Sequence, residues 1–524
     1  MTTNYITRIH IQNYRGFRDL EISDLDPKLN ILIGDNDTGK SSILSAIDLA
    51  LSCNLGRIES IGLDRLLNLD AVNEYLELTK RSFEDLPILE IDIYLNEQGR
   101  HELDGEFNLK QCGGYGVALI CRPNDDLRDL IEEVISSDKL VFPYEYYVAE
   151  IKGFGGESLN SYKKPIQHLQ IDNTKISNDY ASRAHVRDIY RASTDDKVRN
   201  ELRYSYRRLK TEFAEDHFKE LDEKADDDYS FRLRSGTKAN VDTDMTIAKG
   251  GLDIEDLGVG SQCFIRTSFA LSKKTSTDVV LIEEPENHLS HAKMRLLIEK
   301  IAAASQSQLF ITTHSSLICS RLDLRHAILM PDSKGQPTRL SDLPKSTAEF
   351  FMKAPNSCVL EFALSDKNIL VEGDAEYILI PAMFENSTQK ELSEAGINVI
   401  SIGGVSFPRY LDIAKLLGNK TAVVRDNDGK SEQLEERYKP YRKDDLIEVF
   451  MDPDNENRTT FEKCVYRDNK AVCDELFGPG RKTLTVEEYM LSNKTAAAYE
   501  LASKKADKII APEYIKNAAV WISS

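Results

Sequence analysis

Cysteine is sparse and scattered in this chain. The eight residues, Cys53, Cys112, Cys121, Cys263, Cys319, Cys358, Cys464 and Cys473, include no C-x-x-C pair, which argues against a structural zinc site and a disulfide framework. Reduced, mostly buried thiols remain. No apolar run is long enough to span a bilayer, and Met1 to Arg8 carries no apolar signal core. The expectation is a cytoplasmic protein without a membrane partner. Positive charge is also in deficit, with a formal net charge of −20. Taken alone, that speaks against a simple nucleic-acid binder. It does not exclude one, because acidic metal sites add negative charge and DNA responds to the local field. At 524 residues the chain exceeds what one hydrophobic core supports, so two to four domains are expected.

What the chain does have begins at Ile31 to Ser42, ILIGDNDTGKSS, an apolar strand running into a phosphate loop. Gly34 and Gly39 let backbone N–H groups turn inward around phosphates, Lys40 reaches the terminal phosphates, and Ser41 offers a hydroxyl to Mg²⁺ at a helix N-terminus. Asn36 and Ser42 complete this candidate ATP site. Far downstream, Val279 to Ile282 is a continuous apolar run ending in Glu283, Glu284 and Pro285, as when a buried parallel strand delivers carboxylates to its C-terminal edge. Glu283 is assigned to Mg²⁺ through water and Glu284 to the attacking water. The strand Gln308 to Thr313 ends at His314, placed to sense a terminal phosphate, and Leu257 to Gln262 is a Gly-rich turn opening a helix near Cys263.

This ordered set resembles the ABC-type ATPase heads of chromosome-maintenance and recombination proteins. The resemblance implies that Gly258, Gly260 and Ser261 act in trans on the phosphate loop of another subunit, hence a homodimer or higher homo-oligomer. Glu283 departs from the family, which more often has Asp there. The opening strands, broken by the turn Asn13 to Phe17, look like those of the same family, where the turn flanks the base; an ordinary hairpin is the other reading. No long heptad array is present, so the coiled-coil arms of chromosome-maintenance proteins are not expected.

Between 158 and 228 charged and aromatic residues dominate. Val198, Leu202, Tyr206, Leu209 and Phe213 recur at helical spacing, with Arg199, Arg203, Arg207 and Lys210 on a neighbouring face. That stripe is either a DNA contact or the flank of a structural helix. The structural reading is preferred, and the segment is read as a helical insertion that serves dimerisation.

A second chemical module begins at Lys367. Strands are expected at Asn368 to Val371, Asn398 to Ile402 and Thr421 to Val424, ending in Glu372-Gly-Asp-Ala-Glu376, Gly403-Gly404 and Arg425-Asp-Asn-Asp428. Ligands at a parallel sheet gather beyond strand C-termini, so Glu372, Asp426 and Asp428 converge on one edge. Asp426 and Asp428, two apart, can face one hard cation, Mg²⁺ or Mn²⁺; the same residues also suit an acidic turn.

The module resembles the Toprim fold, and an ABC-type ATPase followed by a Toprim domain is the architecture of the OLD (overcoming lysogenization defect) nucleases. Gabija-type and retron-associated antiphage nucleases are similar. By that resemblance, Glu376 and Glu462, in Thr460-Phe-Glu462, help hold a second cation, and Lys494, in Asn493 to Ala497, neutralises the scissile phosphate. The expected fold is α/β: an ATPase head (1–157 and 229–345) with a helical insertion (158–228), a linker helix (346–366) and a Toprim nuclease domain (367–524). The expected function is ATP-regulated, divalent-metal-dependent DNA endonuclease activity in antiphage defence. A helicase-like or reverse-transcriptase/retron DNA partner is compatible with it. A non-nucleolytic, recombination-mediator-like DNA-binding ATPase and an RNA-processing Toprim nuclease are the alternatives.

Overall fold

The computed structural model describes residues 4–137, 141–174, 186–187, 189–191, 193–218, 232–234, 240–271, 277–304, 306–331, 336–354, 358–403, 406–442, 445–480 and 482–524, with backbone alone at Ser320. Parts of the expected insertion (175–185 and the acidic stretch from 219), Gly404 and Pro355 lie outside these residues. The chain divides into two compact units, Met1–Ser315 with Ile328–Pro337, and Ser316–Ala327 with Thr338–Ser524.

The first unit is built around the helix Lys40–Ser52, which is apolar almost all round and therefore needs cover on every side. One side is covered by an antiparallel sheet in the order Phe17–Ile22, Ile6–Tyr14, Leu89–Leu95, Gly114–Pro123, Tyr147–Gly153. The other is covered by four parallel strands, Leu29–Ile33, Gln308–Thr313, Val279–Glu283 and His168–Asp172. Ile43, Leu44 and Ile47 of the helix join Ile9, Ile91 and Leu119 of one sheet to Leu32, Leu281 and Phe310 of the other in a single core. The parallel strands are continuous apolar runs because both their faces are covered.

The far face of the antiparallel sheet carries an acid pair. Glu90 and Asp92 lie two apart on one strand, with Gln12 and His10 opposite them and Arg8 opposite Tyr94. Asp92 is fully buried and accepts the Leu109 N–H at 2.7 Å. Burial first, then the Glu90 charge, pushes the Asp92 carboxyl up, and Arg8 offsets this only in part. An acid whose folded pKa is raised favours the folded state at low pH and loses that contribution as pH rises through the folded value. Asp92→Asn keeps an acceptor for Leu109 and removes the charge. Urea denaturation is therefore expected to show the variant more stable than wild type by about 1–3 kcal/mol at pH 8, with the gain shrinking at pH 5.

The predicted amphipathic helix is present as Asp196–His217 and buries none of its residues. Three residues of its basic stripe are paired within the chain: Arg203 with the buried Asp242, Arg199 with Asp196, and Lys210 with Asp244.

The second unit contains a parallel sheet in the order Ile397–Ser401, Lys367–Val371, Lys420–Val424, Ile447–Phe450. The sequence suggested three strands; the fourth, Ile447–Phe450, is short and half-buried at alternate positions, which hides it in a charged stretch. Helices Asp374–Thr388, Lys494–Lys505 and Glu513–Ser523 share a core with the sheet. The helix Lys345–Lys353 is tied into this unit where the Thr347 hydroxyl donates to Asp412 at 2.5 Å and accepts from Arg409 at 2.8 Å. Among the described residues no helix is long and apolar enough to cross a membrane.

Candidate active sites

In the first unit the strand Leu29–Ile33 turns through Gly34 to Gly39 into the helix Lys40–Ser52. Gly39 sits at φ +88°, and a Cβ there would lie 2.3 Å from the Phe17 ring, so only glycine serves. Lys40 Nζ donates to the carbonyls of Gly34 at 2.9 Å and Asp35 at 2.7 Å, which centres the ammonium in the loop. Burial lowers its pKa, against the pull of Glu284, Asp35, Asp37 and Glu286. Asn36 and Ser41 are exposed and Ser42 half-buried at the helix start.

The strand Val279–Glu283 is wholly buried and delivers Glu283, itself buried, and then Glu284 at φ +45°. Glu284 and His314 meet, Oε1 to Nε2, at 3.2 Å. Burial and Glu286 push the Glu284 carboxyl up to about 8, while burial and Lys40 lower His314. Both shifts favour the uncharged forms of the two side chains at this contact. Glu286 is a residue the sequence reading missed, though the run Glu-Glu-Pro-Glu displayed it. It accepts from the Thr313 hydroxyl at 2.5 Å and the His314 N–H at 2.8 Å, and its other oxygen is buried without a partner.

Gly258 precedes the helix Val259–Ala270. A Cβ on Gly260 would stand 2.1 Å from the His288 carbonyl, so this glycine lets the helix close on the turn after Glu284. The Ser261 hydroxyl accepts from Lys293 Nζ at 2.7 Å. No side-chain hydrogen bond among the described residues takes Ser261 to the phosphate loop.

In the second unit the acids gather beyond the strand ends. Glu372 follows Lys367–Val371, and Glu376 lies in the first turn of the next helix. Asp426 follows Lys420–Val424, and Glu462 lies in the first turn of Phe461–Asp468. Asp426 Oδ1 accepts the Phe461 N–H at 2.6 Å, placing it at that helix N-terminus, yet burial and the charges of Glu372, Glu376 and Glu462 push it up to about 8. Burial and the same neighbours push Glu376 up to about 7. Lys494 meets Glu462 Oε1 at 3.0 Å, while Glu462 Oε2 is buried with no hydrogen-bond partner.

Asp428 differs from Asp426. It sits at φ +49° with an exposed carboxylate, 3.4 Å from Arg425 Nη2. The intervening Asn427 is buried and donates to the carbonyls of Asp452 at 2.7 Å and Asp454 at 2.9 Å, fixing the loop that leads to Glu462. Arg425 and Asn427 were legible only as neighbours of the acids.

Three buried carboxylates, Glu376, Asp426 and Glu462, with the half-buried Glu372 beside them and one orphaned oxygen, suit a hard divalent cation. Among the described residues no three His, Cys, Asp or Glu side chains close a ligand shell. Instead, protein cations occupy part of the charge: Lys494 on Glu462, and Arg425 on Glu372 and Asp428.

These two units define an ABC-type ATPase head and a Toprim sheet on one polypeptide. Residues 364–428 match the family model described as overcoming lysogenization defect protein-like, TOPRIM domain, while an AAA ATPase domain model matches 5–107 and an AAA domain model 155–320. By this architecture the chain is similar to the OLD family of ATPase–Toprim proteins. It is similar to the Old nuclease of Escherichia phage P2, 29% identical over 181 residues, which are 32% of this chain and 30% of that protein. It is also similar to the DNA replication and repair protein RecF of Acetivibrio thermocellus, 32% identical over 127 residues, 24% of this chain and 33% of that one. The chain spans a third or less of the length of these curated relatives. Among solved structures, the C-terminal region of the Burkholderia pseudomallei OLD protein aligns at 20% identity over 30% of this chain and 97% of its own, with TM-score 0.23. A Smc head domain bound to the C-terminal domain of ScpA, from Pyrococcus furiosus, aligns at 14% identity over 66% of this chain and 99% of its own, with TM-score 0.36.

Proposed function

We propose that this chain is a divalent-metal-dependent DNA endonuclease regulated by ATP, acting in defence against phage or plasmid DNA as a cytoplasmic homo-oligomer. The observation that carries the proposal is the gathering of Glu372, Glu376, Asp426 and Glu462: burial and the neighbouring acids push the first three towards protonation, and one oxygen of Glu462 is buried without a hydrogen-bond partner. Mg²⁺ or Mn²⁺ held there, with Asp428 as a further ligand, would supply a Lewis acid that activates water and stabilises the leaving oxygen of a phosphodiester. Lys494, half-exposed above Glu462, supplies positive charge to the scissile phosphate. The name of the similar DNA replication and repair protein RecF favours DNA over RNA as the substrate.

In the ATPase head, Lys40 and the loop N–H groups bind the phosphates. Ser41 and Glu283 would hold Mg²⁺, Glu284 orients the attacking water, and His314 contacts the terminal phosphate. Gly258, Gly260 and Ser261 meet the nucleotide of a second subunit. The test is incubation with circular DNA and structured RNA, with Mg²⁺, Mn²⁺ or neither. Metal-dependent DNA cleavage supports the reading; cleavage of RNA alone transfers it to RNA processing, and no cleavage of either leaves a DNA-binding ATPase.

The gating has its own prediction. ATP shifts an equilibrium only if it binds the closed heads better than the open ones. Ser261→Arg puts bulk and charge where a second subunit must dock and blocks engagement, whereas Glu284→Gln slows hydrolysis and prolongs it. Their DNA cleavage rates with ATP are expected to move in opposite directions from wild type. Equal rates for all three, with and without ATP, would leave the ATPase no role in gating.

A further inference from the structure

Arg425 is a buried cation set beside Glu372 and Asp428. Its side chain is 9% exposed, and its guanidinium is anchored by neutral groups. Nε donates to the Asp426 carbonyl at 2.9 Å and Nη1 to the Tyr438 hydroxyl at 2.9 Å. The rings of Phe407 and Tyr438 flank it, each centroid 5.7 Å away. Only Nη2 faces carboxylates, Glu372 at 3.3 Å and Asp428 at 3.4 Å.

We propose that Arg425 is a positioning residue of the cation centre, its anchored guanidinium holding Glu372 and Asp428 in the orientation that a divalent cation requires. This rests on the metal-dependent reading above. A guanidinium that merely stood in for the cation would have to leave when the cation arrived. Arg425 has nowhere to go, because two of its nitrogens are hydrogen-bonded to the Asp426 carbonyl and the Tyr438 hydroxyl, and the rings of Phe407 and Tyr438 lie beside it, all groups that a cation does not disturb. A carboxylate offers about four lone-pair sites, so a single contact from Nη2, a hydrogen bond to Asp428 and an ion pair with Glu372, leaves each acid free to ligate. Partners of this kind orient ligands around a metal and tune its affinity. Asp428 needs such a hold most, since its carboxylate is exposed and its backbone lies in the left-handed region. Lysine would keep the charge, but it has no counterpart to Nε and Nη1 and so loses the anchor.

The experiment measures Mn²⁺ binding to the full chain by the electron paramagnetic resonance of free Mn²⁺, with melting temperature as the fold control. The component lost in Asp426→Ala defines the Toprim centre. Arg425→Lys and Arg425→Met are both expected to weaken that component about tenfold or more, the range for partners one layer behind a metal. Tyr438→Phe removes only the hydroxyl anchor, touches no carboxylate, and is expected to weaken it by a smaller factor in the same direction. Tighter binding in Arg425→Met marks a competing counter-charge and overturns the proposal, as does wild-type affinity in Arg425→Lys. If both Arg425 variants fail to fold, Tyr438→Phe decides alone, and wild-type affinity there overturns it. Identical Mn²⁺ binding by wild type and Asp426→Ala refutes the metal reading itself, a result distinct from the others because no Arg425 variant is involved.

Discussion

Asp426→Asn is expected to lose metal-dependent DNA cleavage by about 10³-fold or more, because residues acting as one unit fail nearly completely when one is removed. The same change is expected to leave the melting temperature equal or higher. Asparagine keeps an acceptor for the Phe461 N–H, 2.6 Å away in the wild type, and it removes a buried charge that Glu372, Glu376 and Glu462 oppose. Loss of function with stability retained is the signature of a site that stores repulsion until a cation relieves it. Asp428→Ala is expected to lose cleavage too, with little change in stability because its carboxylate is exposed. Cleavage of supercoiled DNA in Mg²⁺ and Mn²⁺, followed on one gel with a parallel melting curve, checks both; wild-type cleavage by both variants retires the metal-centre account.

The second large effect is at the phosphate loop. Lys40→Ala is expected to abolish ATP hydrolysis, a fall of about 10²–10³-fold or more as for loss of a group that stabilises transition-state charge, while the fold persists. Lys40 is 5% exposed and its ammonium is held by two loop carbonyls, so its removal leaves those acceptors to water. Phosphate release measured beside near-ultraviolet circular dichroism separates lost chemistry from lost structure. Hydrolysis at the wild-type rate would mean that the nucleotide binds elsewhere.

The strands that carry both sites were legible because each is a continuous apolar run ending in acids or glycine, and burial on both faces writes itself into sequence. Lys40 and Asp426 could be named from such runs alone. What was not legible depends on distant partners. Asp242 and Asp244, which engage Arg203 and Lys210, lie more than thirty positions downstream of them, so a solvated basic stripe and an internally paired one look alike. Arg425 shows its function only when Tyr438, Phe407 and Glu372 are brought round it. Glu286 is similar: nothing in Glu-Glu-Pro-Glu says that the third acid holds the Thr313 hydroxyl and the His314 N–H. The fourth Toprim strand was hidden for a different reason, because Ile447–Phe450 is an edge with only alternate residues buried.

The central claim is that the carboxylates at the Toprim sheet edge are a divalent-cation centre. Crystals of the full chain soaked in Mn²⁺ and measured at the manganese absorption edge test it most directly. An anomalous peak is expected about 2.0–2.3 Å from carboxylate oxygens that include Asp426 and Glu372, with Arg425 still seated against Tyr438. Mn²⁺ found only at the phosphate loop, with Glu462 still paired to Lys494 and no peak beside Asp426, would contradict it.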